Sequence, residues 1–169
     1  MTVSNRNRQA RGGAPVGVLA ELPPVELAAI RYLRLWFSGK QDRIWRDFHN
    51  QLSNRSAKKA MVSFTGLMDA VQFYARRPLL RHDEQCVCFG GDECAFAHFV
   101  AASCSGNSHD AMTFGLHLFD SEKTEQIIAT AAICGQVFSN MAGLGLPYPH
   151  SSIGRSSPGP THPMPKATQ

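Results

Sequence analysis

The sequence predicts an all-α protein, a compact bundle of five or six helices with a disordered tail at each end. Apolar residues recur at spacings of three and four over most of residues 21 to 142, which is the period of an amphipathic helix. No stretch alternates apolar and polar residues as a half-buried strand does, and no internal repeat is visible. A chain of 169 residues is long enough for one domain with a hydrophobic core.

The ends of the chain differ from its middle in composition. Residues 1 to 20 contain Arg6, Arg8 and Arg11 and no acid, with few apolar residues to bury, and we predict a disordered basic arm. Residues 143 to 169 are rich in Pro, Ser and Gly and predict a disordered tail. Residues 21 to 142 are then the helical domain, with a Cys/His-rich loop at 81 to 107.

The first predicted helix is apolar on more than one face. It should begin at Pro23-Pro24, because proline suits the first turn, and end at Phe37. We expect a central core helix with Arg31 and Arg34 on its polar stripe. A second, amphipathic helix is predicted over residues 41 to 52.

The third predicted helix, residues 56 to 75, has the clearest period in the chain. Its core face is expected to comprise Met61, Phe64, Leu67, Met68, Val71 and Tyr74.

Three further helices are predicted from their start signals. Asp92 and Glu93 follow two glycines and favour a helix start, which gives a fourth helix that ends before Gly106. Ser108 is a candidate N-cap for the fifth helix. The last helix should start at residue 120 or 121 and include Cys134 in its buried face.

Residues 81 to 107 concentrate the residues that bind soft metal ions. They hold four of the five cysteines and two of the seven histidines: Cys86, Cys88, Cys94, Cys104, His82 and His98. Clustered cysteines in a reducing compartment are more often ligands or reactive thiols than disulfides. This stretch therefore predicts a metal or redox site.

Zinc is the expected metal. Cys94 and His98 are one turn apart on the fourth helix, and Cys86 and Cys88 precede it, so that the four offer a Cys3His set; His82 could replace one of them. An iron–sulfur cluster is less favoured, since clusters prefer four thiolates. The fourth thiol, Cys104, lies ten residues after Cys94, roughly 15 Å along the same helix, and is expected in the core.

The run Cys88-x5-Cys94-x3-His98 resembles the second half of the CCCH zinc finger, an RNA-binding module. That family places its first cysteine seven or eight residues earlier, where this chain has Leu79 and Leu80. The finger is also mostly irregular, whereas this chain is predicted to be helical. We interpret the similarity as coincidental.

The order RYLRLWFSG, RRPLLRH and CxCxGxDE resembles a small helical family of uncharacterised α-proteobacterial proteins over most of residues 25 to 142. The resemblance implies a fold and no activity. Its characteristic residues here are Arg81, His82, Cys86, Cys88, Gly90, Asp92 and Glu93. It implies a second ligand set, composed of His82, Cys86, Cys88 and an acid.

Charge is divided unevenly along the chain. Residues 21 to 81 carry eleven Lys or Arg against five acids, and residues 82 to 142 carry one Lys against eight acids. Pairing within the fold is the favoured interpretation, although the basic half could also contact nucleic acid.

Three function classes remain open from the sequence. The first is a small metal-binding helical protein with a structural or regulatory role. The second is a redox-responsive protein with a reactive Cys86–Cys88 pair. The third is a metal-free interaction module that binds a protein partner or itself. An enzyme is not favoured, because no phosphate loop, nucleophile elbow or zinc-protease helix occurs.

No run of 18 apolar residues occurs, and no apolar segment follows the first charged residues. We therefore expect a cytoplasmic protein without contact to a membrane.

Overall fold

A computed structural model of the chain describes residues 13 to 143 and confirms the predicted all-α fold class. It contains six α-helices and one small two-stranded sheet. Their bounds are β1 Pro15–Val18, a 3-10 turn Leu19–Glu21, α1 Pro24–Phe37, α2 Gln41–Gln51, α3 Asn54–Tyr74, β2 Cys88–Gly90, α4 Gly91–Ser105, α5 Ser108–Leu118 and α6 Ser121–Gly143.

The ends of the helices follow local capping signals. The Ser53 hydroxyl accepts a hydrogen bond from the Ser56 amide at the start of α3. Gly106 ends α4 with a φ of 74°, in the left-handed region that favours glycine. The N-cap of α5 is Asn107, one residue before the expected Ser108, and its side chain accepts from the Asp110 amide. Each predicted helix is thus present within two residues of its expected start.

The sheet is the main departure from the predicted architecture. Residues 15 to 18, predicted as part of a disordered arm, pair antiparallel with β2, with Val18 opposite Cys88. The prediction of disorder over residues 1 to 20 is therefore wrong for this segment; residues 1 to 12, like residues 144 to 169 of the predicted tail, lie outside the described residues. The pairing joins segments far apart in the chain, so local composition does not reveal it.

The core is centred on aromatic side chains of α1, α2, α3 and α6. The Tyr32 and Phe138 rings are stacked with centroids 5.4 Å apart, and Phe48 and Phe64 meet Tyr32 edge-on. Burial raises the pKa of the Tyr32 phenol above its usual range. Helix α4, which begins directly after β2, packs against α1, α5 and α6.

Ion pairs join the basic and acidic halves of the chain. In residues 13 to 143, every Lys or Arg ion pair links residues 21 to 81 to residues 82 to 142: Arg34–Glu93, Lys40–Glu84, Arg43–Glu84 and Arg77–Asp92. This agrees with the expectation that the two charge blocks pair within the fold. One expectation is wrong, because Arg34 is buried rather than on a polar stripe.

Candidate metal centre

Three of the predicted ligands converge next to strand β2. Ligand atoms of His82, Cys86 and Cys88 all lie within 4.8 Å of one another, and this is the one group of three or more His, Cys, Asp or Glu side chains with this spacing among residues 13 to 143. His82 Nδ1 lies 3.5 Å from Cys88 Sγ. Tetrahedral zinc with bonds of about 2.1 and 2.3 Å would place its nitrogen and sulfur ligands about 3.6 Å apart. The group therefore could hold a metal ion.

The second nitrogen of His82 holds the ring in place. Nε2 lies 2.8 Å from the carbonyl oxygen of Gly13, just before β1. Metal-binding histidines commonly donate their other N–H to a carbonyl or a carboxylate, which fixes the tautomer and the orientation of the ring. In this chain the contact would leave a lone pair on Nδ1, which lies 3.5 Å from Cys88 Sγ and 3.1 Å from the Cys88 carbonyl oxygen.

Arg34 organises the loop that carries the ligands. From α1 its guanidinium donates hydrogen bonds to the carbonyl oxygens of Asp83, Cys86 and Cys88, at 3.1, 2.7 and 2.7 Å. One rigid side chain therefore fixes three carbonyls of a seven-residue segment, including those of both candidate cysteine ligands.

Glu93 neutralises Arg34 and completes this arrangement. Its Oε1 and Oε2 lie 2.6 and 3.0 Å from Arg34 Nε and Nη2, and its side chain is fully buried. The same carboxylate accepts from the backbone amides of His82 and Gly90. The Glu93 carboxylate thus anchors both ends of the ligand-bearing segment.

A second ion pair fixes the chain just before His82. Asp92 accepts two hydrogen bonds from Arg77, at 2.6 and 2.7 Å, and one from the Leu80 amide at 2.8 Å. Burial alone would raise the pKa of Asp92, but these hydrogen bonds hold it below its usual value. Asp92 and Glu93, at the start of α4, therefore hold residues 77 to 90 against the helix bundle.

The two candidate cysteine ligands affect each other's ionisation. The interaction between the two side chains lowers the pKa of Cys86 and raises that of Cys88. The Arg34 guanidinium adds a smaller effect that lowers both pKa values. Thiolate is the form that binds metals and that reacts as a nucleophile.

Cys94 and His98, the other two predicted ligands, are not part of this group. Cys94 is partly buried on α4, and burial raises its pKa. The His98 ring stacks on Phe114 with centroids 5.0 Å apart, and its Nδ1 lies 4.0 Å from Glu26 Oε1. The one-turn spacing of the pair is real, but the helix directs His98 toward α1 and α5 rather than toward the loop.

The remaining thiols lie between helices. Cys104 on α4 packs closely against Gly135 on α6. A Cβ placed on Gly135 would lie only 2.5 Å from the Cys104 Cβ. Cys134 is buried, which raises its pKa to about 12. Cys134 agrees with the expectation of a core thiol, whereas Cys104 is only partly buried.

Two residues of the site were not predicted. Gly13 contributes only a backbone carbonyl, which no side-chain pattern reveals. Arg34 could have been recognised as a charged residue on a helix that is apolar over more than one face, because such a charge needs a buried partner.

Comparison with known proteins gives no further assignment. No family model, curated protein or solved structure matches the chain. Across residues 13 to 143, no helix combines the length and the apolar character needed to cross a membrane.

Proposed function

We propose that the chain is a metal-binding helical protein that holds zinc through His82, Cys86 and Cys88, in a structural or regulatory role. The observation that carries this proposal is the convergence of one imidazole and two thiols within 4.8 Å, with the histidine ring oriented by the Gly13 carbonyl. Imidazole and thiolate together are a ligand set that zinc favours.

The electrostatics of the loop support a divalent cation. Two thiolates would balance the charge of Zn²⁺, while the charges of Arg34 and Glu93 already cancel each other at 2.6 Å. Binding of Zn²⁺ to the two thiolates would thus leave no net charge in this partly buried region, where an unpaired charge has a high desolvation free energy. The donor set also favours zinc over an iron–sulfur cluster, which prefers four thiolates.

Glu93 is the acid nearest to His82, with Oε2 3.5 Å from Nδ1. Both of its oxygens already accept hydrogen bonds from Arg34. We therefore assign Glu93 an orienting role, and we assign the fourth coordination position to water or to an added ligand. Three protein ligands with one open position is a recurrent zinc arrangement.

The test is elemental analysis of the untagged, full-length chain purified without chelators. We expect about one zinc per chain, as required for a single site. The double variant C86S/C88S should lose the metal, whereas C94S/C104S, with the same substitution at two cysteines outside the group, should retain it. A metal-free protein, or equal loss in both variants, would overturn the proposal.

A second candidate is redox sensing by the same two cysteines. The specific observation is that the sulfur atoms of Cys86 and Cys88 lie within 4.8 Å of each other, since a thiolate next to a second thiol can form a disulfide. Peroxide would oxidise the two thiols to one disulfide and be reduced to water. This candidate is favoured if the purified chain is metal-free and peroxide removes two titratable thiols, with C86S abolishing the loss.

A further inference from the structure

We propose that metal binding and the docking of strand β1 strengthen each other, so that occupancy of the site controls how firmly residues 13 to 19 are held. This inference rests on the metal binding proposed above and concerns its regulation. It follows from the position of His82, which contacts the candidate ligands with one nitrogen and the segment before β1 with the other.

Both ring nitrogens of His82 face a backbone carbonyl oxygen. Its Nδ1 lies 3.1 Å from the Cys88 carbonyl oxygen and its Nε2 lies 2.8 Å from the Gly13 carbonyl oxygen. A neutral imidazole has a single N–H and can satisfy only one of these two acceptors. A metal ion on Nδ1 decides the competition, because the proton must then be on Nε2, where it is donated to Gly13.

The register of the sheet links β1 to a candidate ligand. Val18 is opposite Cys88, and the Leu19 amide donates to the Val87 carbonyl at 2.7 Å. Strand β1 therefore lies directly alongside a candidate ligand. A displacement of Cys88 would be transmitted to β1 through this ladder.

The residues of β1 are mostly exposed. Pro15, Val16 and Val18 are exposed, and Gly17 is the one partly buried residue of the strand. Segments with few buried apolar contacts open at low free energy and respond first to the loss of a single interaction. Besides the β1–β2 ladder and the packing of Leu19 against the core, the hydrogen bond between His82 and Gly13 is a further contact that holds the segment.

A substitution at Gly17 tests whether displacement of β1 weakens zinc binding. A Cβ at this position would lie 2.7 Å from Phe89 Cζ, and Phe89 is buried in β2. The variant G17A should therefore push β1 away from β2, although none of the candidate ligands is substituted. The matched control is G66A on α3, where an added Cβ meets nothing within 4 Å.

The experiment uses the full-length chain and measures both the effect of zinc on β1 and the effect of β1 on zinc binding. Hydrogen exchange of the Leu19 amide is followed by NMR with zinc bound and after removal by a chelator, with amides of α6 as reference. Zinc affinity is measured by chelator competition for the wild type, G17A and G66A. We expect metal removal to speed Leu19 exchange about tenfold relative to α6, and G17A to weaken zinc binding by about tenfold while G66A leaves it unchanged, since linkage is reciprocal.

The outcomes separate this inference from the proposed function. If zinc binds but Leu19 exchange does not change relative to α6, the coupling is wrong and the metal site stands. If the chain binds no zinc, both are overturned. The exchange measurement uses the unaltered chain, so it decides the question even if G17A fails to fold.

Discussion

Arg34 and Glu93, separated by 59 residues in the chain, form a buried ion pair with Nε and Oε1 2.6 Å apart. Both side chains also form hydrogen bonds with the loop. The other nitrogens of Arg34 bind loop carbonyls, and Glu93 also accepts from two loop amides. A buried ion pair adds stability only when its remaining donors and acceptors are satisfied. In this protein they are satisfied by the loop that carries the candidate ligands.

We expect R34M to destabilise the protein strongly. Loss of the guanidinium would leave the Glu93 carboxylate buried and unpaired, at a cost of about 3 to 5 kcal/mol. R34K should cost less, because the charge remains, but an ammonium group has three donors and cannot replace all five contacts. Urea unfolding of each variant measures the loss.

The control for this prediction is R31M, at a less buried position of the same helix. Its effect should be within about 0.5 kcal/mol of the wild type. A loss in R34M no larger than that in R31M would show that the buried pair contributes nothing to stability.

Asp92 should make the protein sensitive to acid. Burial opposes its ionisation, but hydrogen bonds from Arg77 and the Leu80 amide hold its pKa below the unfolded value. Its contribution is therefore complete above the unfolded pKa of about 3.9 and is lost as the pH falls through the folded pKa. We expect D92N to cost roughly 2 kcal/mol at pH 7 and progressively less below about pH 4.

Unfolding by urea at a series of pH values between 7 and 3 checks this expectation. D69N, at an exposed position of α3, is the matched control and should change stability little at any pH. A difference between wild type and D92N that stays constant across the range would contradict the assigned role.

Gly135 should be intolerant of a side chain. A Cβ there would lie 2.5 Å from Cys104 Cβ and 3.0 Å from the Val100 carbonyl oxygen, so α6 and α4 would have to separate. We expect G135A to lose about 1 to 3 kcal/mol from this overpacking. G66A, which meets no neighbour, should be neutral or stabilising, since alanine favours a helix over glycine. Thermal unfolding of the two variants would distinguish them, and equal midpoints would contradict the close approach.

The five thiols should differ widely in reactivity. Cys86, with its lowered pKa, should be alkylated first, and buried Cys134, with its pKa raised to about 12, should be alkylated last. Zinc should slow alkylation of Cys86 and Cys88 and leave Cys94 and Cys104 unchanged. Mass spectrometry of peptides after timed alkylation measures all five rates. Alkylation of Cys134 as fast as Cys86 would contradict the arrangement of the thiols.

The helices could be predicted from the sequence because they depend on local signals. Apolar period, the proline at the start of α1 and the left-handed Gly106 at the end of α4 each act within a few residues. The helix bounds therefore required no knowledge of the tertiary structure.

The site could be predicted only in part. The sequence indicated His82, Cys86 and Cys88 as ligands but grouped them with Cys94 and His98. The one-turn spacing of Cys94 and His98 places both on one face of α4, but it does not reveal which neighbouring element packs against that face. Strand β1 and the burial of Arg34 depend on contacts between distant segments. Such contacts leave no trace in a local pattern.

The pairing of β1 with β2 also constrains the order of events during synthesis. Val18 of β1 pairs with Cys88, which is made 70 residues later. At 5 to 20 residues per second, β1 waits roughly 4 to 14 s for its partner. By then α1, α2 and α3 have been made in full, whereas α4, α5 and α6 follow β2 in the chain. The sheet therefore cannot close until the first three helices have been synthesised.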